Sequence, residues 1–554
     1  MFTLISMLYP LITSWLLINS TGNQIISLHN INFIFSFSYE NKLIGLALLI
    51  VTLVANLYAF SQKRYHEVII GSLYSVASLT CLLAGDFISM FLALEFMMIF
   101  AAILIFYGDH IDSSRAAQLY FLTHLFSGGL ILIGIVFIIA KNGNYQIVLL
   151  TQQLFYDEFS IIFILTGCLI NVAAVPFSGW MVNCYPASSS SALIYLISFT
   201  SKVSLMILIK LFSGLEILKF VGILMILYGG GFALIEDNLR RLLCYLTISH
   251  IGFILIAIGE HSQQAILGII AFLFFHIIYK ALFALFIAIL KDKKSIDNFS
   301  EVTSFHLLKL PLFSSSLITI ILAMISLPWQ ASFTTKIAIT SILNGDINHY
   351  IIILLKYLTC VVMFSFGFKN FKKATGTQSN TVLREPGNLK NNDSLLRAPA
   401  LLTTTTKFQN NVSSLSLFII LAVTFVTSIF LPEILVIIWP TYPLEILETK
   451  SLDSLKQFII ILLGLISAGL LKKFPRYSTA NINLDLFQLI EHSYYRLRSK
   501  YKEKYSEEAF VREDSTLNIL EKTALHRLKF LHNQSASILI IFSLLISLII
   551  ILNS

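Results

Sequence analysis

Apolar runs long enough to cross a hydrocarbon core recur along nearly the whole chain, separated by short polar loops. A helix needs about 20 residues to span roughly 30 Å, and on that criterion the pattern predicts an all-α polytopic membrane protein with about 15 transmembrane helices. They fall near 2–20, 42–60, 68–84, 87–108, 116–140, 158–180, 187–213, 218–236, 242–259, 264–290, 310–328, 346–367, 413–437, 457–473 and 537–553. Two polar segments break the rhythm. Residues 368–412, rich in Lys, Asn, Thr and Gly, read as a flexible cytoplasmic loop. Residues 474–536 are mixed in charge, and Leu486, Ile490, Tyr494 and Leu497 share one face of a predicted amphipathic helix there.

The chain therefore divides into N-terminal membrane helices (1–79), a core (80–345), C-terminal membrane helices (346–473) carrying the loop 368–412, the mixed-charge segment 474–536 and a terminal membrane helix (537–554). Composition agrees: 56% of residues are hydrophobic, only 12% are charged, and the mean hydropathy is +0.82. A soluble domain needs far more surface charge. The net charge of +8 is gathered in alternate loops, at Lys63, Arg64, Arg115, Arg240, Arg241, Lys291, Lys293 and Lys294. Short basic loops stay cytoplasmic, which predicts a multi-pass protein of a cell inner membrane with its N-terminus and most basic loops inside. No compact basic domain is present to bind nucleic acid. The first apolar run begins without a basic leader or a cleavage signature and reads as a retained span. The five cysteines, at 81, 168, 184, 244 and 360, make neither a metal-ligand spacing nor a disulfide framework. Neither a GxxxxGK[ST] loop nor a GxGxxG motif occurs, so no cofactor bound directly, no metal and no catalytic set are expected.

Candidate chemistry lies in the apolar runs themselves. Glu95, Lys202, His250, His276, Lys280 and Lys336 all sit inside predicted spans. Ionised side chains are costly in hydrocarbon, and where they persist they usually line a protein-enclosed polar path. His276 and Lys280, four positions apart, share a helical face. Lys210 lies near a span end and reads as a snorkelling lysine, while Glu216 and Glu260 read as solvated loop residues. Pro176 followed by Gly179, and Pro328 shortly before Lys336, interrupt two spans at membrane depth. Broken helices are tolerated where freed backbone faces protein or a wet cavity, and transporters use them to hold ions. One buried lysine alone is as well explained by snorkelling or a salt bridge. Several in separate helices beside two breaks point to a path for protons or monovalent cations.

Those residues carry a resemblance. ALEFMM around Glu95, VPFSGWMVNCYPASSSSALIYLISFTSK ending at Lys202, DNLRRLLCYLTISHIGFIL with His250, FFHIIYKALFALF with His276 and Lys280, and SLPWQASFTTK ending at Lys336 together resemble the proton-conducting, antiporter-like membrane subunits shared by respiratory complex I and Mrp-type cation/proton antiporters. The resemblance covers about residues 80–345. It implies a ten-helix core of two inverted repeats, each with a broken helix, and other integral membrane subunits as partners in the lipid bilayer. It also implies that Glu95 pairs with a lysine of the first broken helix, that Lys202 links the halves and that Lys336 lies toward the output. Three functions are compatible with it: a membrane subunit of a proton-translocating NADH:quinone oxidoreductase-like complex, a proton-conducting component of an Mrp-type cation/proton antiporter, or a diverged, non-pumping structural subunit. The chain departs from the pattern at telling places. Asn171 stands where the lysine is expected, Ser178 replaces the motif histidine, Asn183 replaces an aspartate, and SLPWQASF lacks both glycines of the second break. Without its lysine, Glu95 faces its desolvation cost unaided, and a weakened or altered first half of the path is the expectation.

Overall fold

The computed structural model describes residues 2–471 and 476, apart from 29–30, 151–158, 261, 303–310, 344–346 and 373–399. The amphipathic stretch of 474–536 and the terminal span 537–553 lie outside the described residues, as does most of the loop 368–412. Helix α1 (Phe2–Asn19) leads through a hairpin, β1 (Asn23–Leu28) and β2 (Ile31–Ser36), into α2 (Tyr39–Ser61). The hairpin is a local exception to an otherwise helical chain. Ile25 pairs with Ile34, whose carbonyl accepts the Gly85 N–H at 2.8 Å in the turn before the fourth helix, where the Asp86 carboxylate accepts the Ile34 N–H at 2.7 Å.

Five membrane crossings follow: α3 (Tyr65–Leu83), α4 (Phe87–Phe106), α5 (Ser113–Asn142), a broken crossing of α6 (Phe159–Asn171) and α7 (Gly179–Cys184), and a kinked crossing of α8 (Ser190–Ser198) and α9 (Thr200–Phe212). Five more repeat the scheme: α10 (Ile217–Ile235), α11 (Leu239–Ile258), α12 (Gln263–Lys294), a second broken crossing of α13 (Pro311–Ile325) and α14 (Ala331–Thr340), and α15 (Ile347–Lys372). An odd number of crossings per unit starts the second on the opposite side of the membrane from the first, so the repeats are inverted. Helices α16 (Ala400–Ile429), α17 (Leu431–Ile438) and α18 (Ser451–Leu471) complete the described chain. Among the described residues eleven helices are long and apolar enough to cross a membrane, with shorter apolar helices at Ile5–Asn19, Phe159–Asn171 and Pro311–Ile325.

The duplication can be read in register. Isolated β-bridges join Asp86 to Gln146 and Asn238 to Asn298, each tying the turn before a unit's second helix to the turn after its third. Asp86 and Asn238, Gln146 and Asn298, and Pro176 and Pro328 all lie 152 positions apart. The same offset sets Tyr120 against Phe272, His124 against His276 and Gly128 against Lys280.

The apolar spans of α8–α9, α11 and α12 are fully enclosed by other helices, whereas α10, α16 and α18 keep most of their apolar surface outward, as helices facing lipid or other subunits do. Close approach is built with glycine: a Cβ on Gly222 would overlap the Gly252 carbonyl oxygen, so α10 and α11 touch backbone to backbone.

Candidate functional site

Both proline-bearing crossings are broken as expected, and in each the exposed carbonyls find side chains. At the first, Trp180 Nε1 donates to the Ile170 carbonyl at 2.9 Å, and Ser127 Oγ donates to Gly167 O at 2.9 Å and to Asn171 Oδ1 at 2.7 Å. The Val175–Pro176 peptide is cis. Ser178 and Gly179 are enclosed in the following turn, and Ser178 Oγ has no partner among the described residues. At the second break, Gln457 Nε2 from α18 donates to the Ile325 carbonyl at 2.8 Å. Ser326, where the resembled pattern has its first glycine, keeps φ at +55°, and Trp329 after Pro328 has φ +68°. These left-handed conformations favour glycine and cost on the order of 1–3 kcal/mol each elsewhere, so packing around the break must hold them.

A third interruption carries no proline and is invisible to hydropathy. The run 187–213 reads as one span, yet it bends at Phe199 between α8 and α9. Lys202 Nζ donates back to the Ile197 carbonyl released by this bend, and to Ser201 Oγ at 3.2 Å. Lys336 is held in the same manner, its Nζ donating to Ser326 Oγ at 2.8 Å. Both ammonium groups are thus anchored where a helix fails to satisfy its own backbone.

Five of the six sequence-predicted groups come together at the centre of the molecule. The rings of His250 and His276 stand 5.5 Å apart, Phe272 lies 5.4 Å from His276, and Lys336 Nζ sits 5.7 Å over Phe272. Lys202 and Lys280 act electrostatically on the same two histidines. All five are buried, and the side-chain nitrogens of His250, His276 and Lys280 have no hydrogen-bond partner among the described residues. Among the described residues, none of the five makes a salt bridge. Two imidazolium charges about 5.5 Å apart repel by about 3 kcal/mol at an effective dielectric of about 20, more than a hundredfold in population. Charging both rings at once is therefore disfavoured by that margin.

Glu95 stands apart from that cluster. Its carboxyl lies beside Gly128, where a Cβ would overlap Oε1. With Tyr120, His124, Gly128, Asn171 and Thr200 it lines a cavity that has room for one water molecule. The Thr200 hydroxyl, on the wall of this cavity, lies 2.5 Å from Tyr74 OH and 2.9 Å from Tyr120 OH.

Several buried polar groups here are missed by the sequence reading. His124 and Lys356 lie inside predicted spans and meet the criterion that singles out the other six. Lys356 on α15 is buried within electrostatic reach of both Lys336 and Asp453, extending the row outward. Lys210 does not simply snorkel: its ammonium donates to the Leu82 and Ala84 carbonyls at 2.5 and 3.2 Å, closing the end of α3. Glu260 is not simply solvated either, since Lys219 pairs with it at 2.8 Å. On the membrane side bearing the basic loops, Glu67 is buried, pairs with Arg64 at 2.9 Å and accepts from Ser189 and Ser191. Burial opposes the charge on Arg64, but Asp109 and Glu67 outweigh it and hold the guanidinium above its ordinary pKa. Arg240 donates to the Ser188 carbonyl at 2.6 Å, and Asp292 accepts from Tyr58 at 2.8 Å and Ser190 at 2.5 Å. This network clamps the serine-rich turn between the first broken crossing and α8.

Comparison with known proteins bears on the same region. The family described as NADH:quinone oxidoreductase/Mrp antiporter, TM, matches residues 84–364. The NADH-quinone oxidoreductase subunit N of Pelagibacter ubique is 25% identical over 350 residues, covering 59% of this chain and 73% of that protein. The NADH-quinone oxidoreductase subunit N 1 of Thermodesulfovibrio yellowstonii is 26% identical over 290 residues, covering 49% and 62% respectively. For most such relatives the match spans less than two thirds of their own length. Among solved structures, a chain of the Mrp complex from Dietzia sp. DQ12-45-1b shares the fold with a TM-score of 0.60 at 17% identity, covering 80% of this chain and 92% of that one. A chain of respiratory complex I from Thermus thermophilus does so with a TM-score of 0.59 at 15% identity, covering 77% and 92%.

Proposed function

The chain belongs to the NADH:quinone oxidoreductase/Mrp antiporter transmembrane family, and we propose that it is a proton-translocating membrane subunit of a complex I-like NADH:quinone oxidoreductase. The observation that carries this reading is the row of buried ionisable groups formed by Lys202, His276, Lys280, His250 and Lys336, with the half-buried Glu95 set apart from it in the first unit. Such a row is costly in a membrane protein unless protons use it. Each group passes a proton only when its neighbour can take one, and mutual repulsion keeps part of the row empty to do so. No group in it supplies redox chemistry, so the driving reaction belongs to other subunits. The sequence relatives carry the name of a complex I subunit, which favours this assembly over an Mrp-like antiporter, although the shared fold suits both. The protein sits in the bacterial inner membrane with its N-terminus and the loops bearing Arg64, Arg115, Arg240 and Lys293 in the cytoplasm.

Two measurements test this. A tagged chain drawn in mild detergent from its native membrane should bring flavin and iron–sulfur subunits with it; small multi-span antiporter subunits without redox proteins would assign it to an Mrp-like assembly. In inverted vesicles, Glu95→Gln and Lys336→Met should each lower redox-driven proton uptake at least tenfold. Unchanged uptake in both would leave the chain a structural subunit.

A further inference from the structure

The cavity beside Glu95 is lined by an imidazole as well as a carboxyl. His124 is buried on α5 with its ring stacked 4.0 Å from Tyr120 and set edge-on to Trp180 at 4.5 Å. Its Nδ1 lies 3.0 Å from the Tyr120 carbonyl oxygen. A carbonyl only accepts, so Nδ1 carries the hydrogen and the lone pair of the neutral ring is on Nε2. Nε2 is buried and has no partner among the described residues. The ring lines the same one-water cavity as Glu95, Asn171 and Thr200. Asn171 cannot take up a proton near neutral pH, and its amide oxygen is already bonded to Ser127. The repeat offset gives independent support, because His124 occupies in the first unit the position that His276 occupies in the second. There the next turn carries Lys280. In the first unit that position is Gly128, and the Glu95 carboxyl fills the space.

We infer that His124 is the proton acceptor for Glu95, reached through a single water in their shared cavity. This rests on the proposed proton-translocating role and names a residue in it. The transfer balances: the carboxyl O–H of Glu95 breaks, the water takes that proton and releases one of its own, and an N–H forms on Nε2. A carboxylate and an imidazolium remain, each stabilising the other in place of the missing lysine.

The test compares redox-driven proton uptake in inverted membrane vesicles from wild type, Glu95→Gln, His124→Gln, and His124→Gln combined with Asn171→Lys, with chain levels matched by immunoblot. His124→Gln should lower uptake at least tenfold, and Asn171→Lys should restore it to within about threefold by returning a cation to the same cavity. His124→Asn, whose amide can still donate to the Tyr120 carbonyl, serves as a second variant should the glutamine chain fail to accumulate. Wild-type uptake in His124→Gln while Glu95→Gln is inactive overturns the inference and leaves the proposed function standing. Unchanged uptake in Glu95→Gln overturns the inference as well, and unchanged uptake in Lys336→Met besides it overturns the proposed function itself. A loss without rescue is decided by infrared difference spectra: the carboxyl band that vanishes in Glu95→Gln shifts in the His124 variant if the two groups share a water. It stays in place if His124 only packs, and the inference then fails.

Discussion

The carboxyl of Glu95 occupies the space that a side chain on Gly128 would need, with Oε1 overlapping the place of an ideal Cβ at that position. Gly128→Ala therefore cannot be accommodated without moving Glu95, one of the few groups in the site free to shift. We expect proton uptake to fall about tenfold or more, since displacements near 1 Å at a transfer site are costly. Thermal stability should change little. Uptake in vesicles and the melting temperature of the detergent-solubilised assembly check the two halves; full activity would show that Glu95 functions in another orientation.

Lys202 offers a separation of charge from exchange. Lys202→Arg preserves a cation able to donate to the Ile197 carbonyl, but a guanidinium does not release its proton near neutral pH. The variant should assemble normally and lose at least tenfold in proton uptake, measured on the same vesicles. An active arginine variant would make Lys202 a fixed charge rather than a carrier.

Removing the Glu67 carboxylate should act on stability instead. Glu67→Ala strips the buried partner from Arg64, Ser189 and Ser191 and should lower stability by about 2–3 kcal/mol, the range for a charge-assisted bond left unmade. Chemical denaturation in detergent, followed by loss of assembly, measures it.

At the α10–α11 contact, Gly252→Leu forces a side chain against the Gly222 carbonyl oxygen, 2.5 Å from where its Cβ must lie. Backbone cannot yield as a flexible side chain can, so the chain should fail to accumulate in the membrane. Gly129→Leu, at a helical glycine with nothing within 4 Å, is the control and should accumulate at wild-type level.

Lys356→Leu tests the outward end of the row. If Lys356 receives protons from Lys336, uptake should fall about tenfold while Lys336 keeps its bond to Ser326. Uptake in vesicles decides it, and wild-type uptake would place the exit elsewhere.

Much of this was legible in the chain because hydrocarbon makes charge conspicuous. Pro176 and Pro328 announce their breaks through a missing N–H, and Glu95, Lys202, His276, Lys280 and Lys336 stand out against apolar neighbours. The bend at Phe199 leaves no such mark, since it depends on Lys202 reaching back to a carbonyl rather than on a helix-breaking residue. Glu67 and Asp292 are overlooked because they lie at helix ends, where sequence alone cannot tell a solvated acid from a buried one. The hairpin Asn23–Ser36 is short and sits between two apolar helices, so periodicity over so few residues cannot separate it from a loop. The pairing of Glu95 with His124 joins residues 29 positions apart on neighbouring helices, and it is readable only once α4 and α5 are packed.

The 152-residue register has a consequence for direction. Two copies of one plan have been given different polar equipment: an acid, an imidazole and Lys202 in the first, imidazoles with Lys280 and Lys336 in the second. A symmetric wire would carry traffic equally well either way. In the proposed relay the acidic end attracts protons and the cationic end repels them, which makes it a graded slope that discharges only when something outside the chain tilts it.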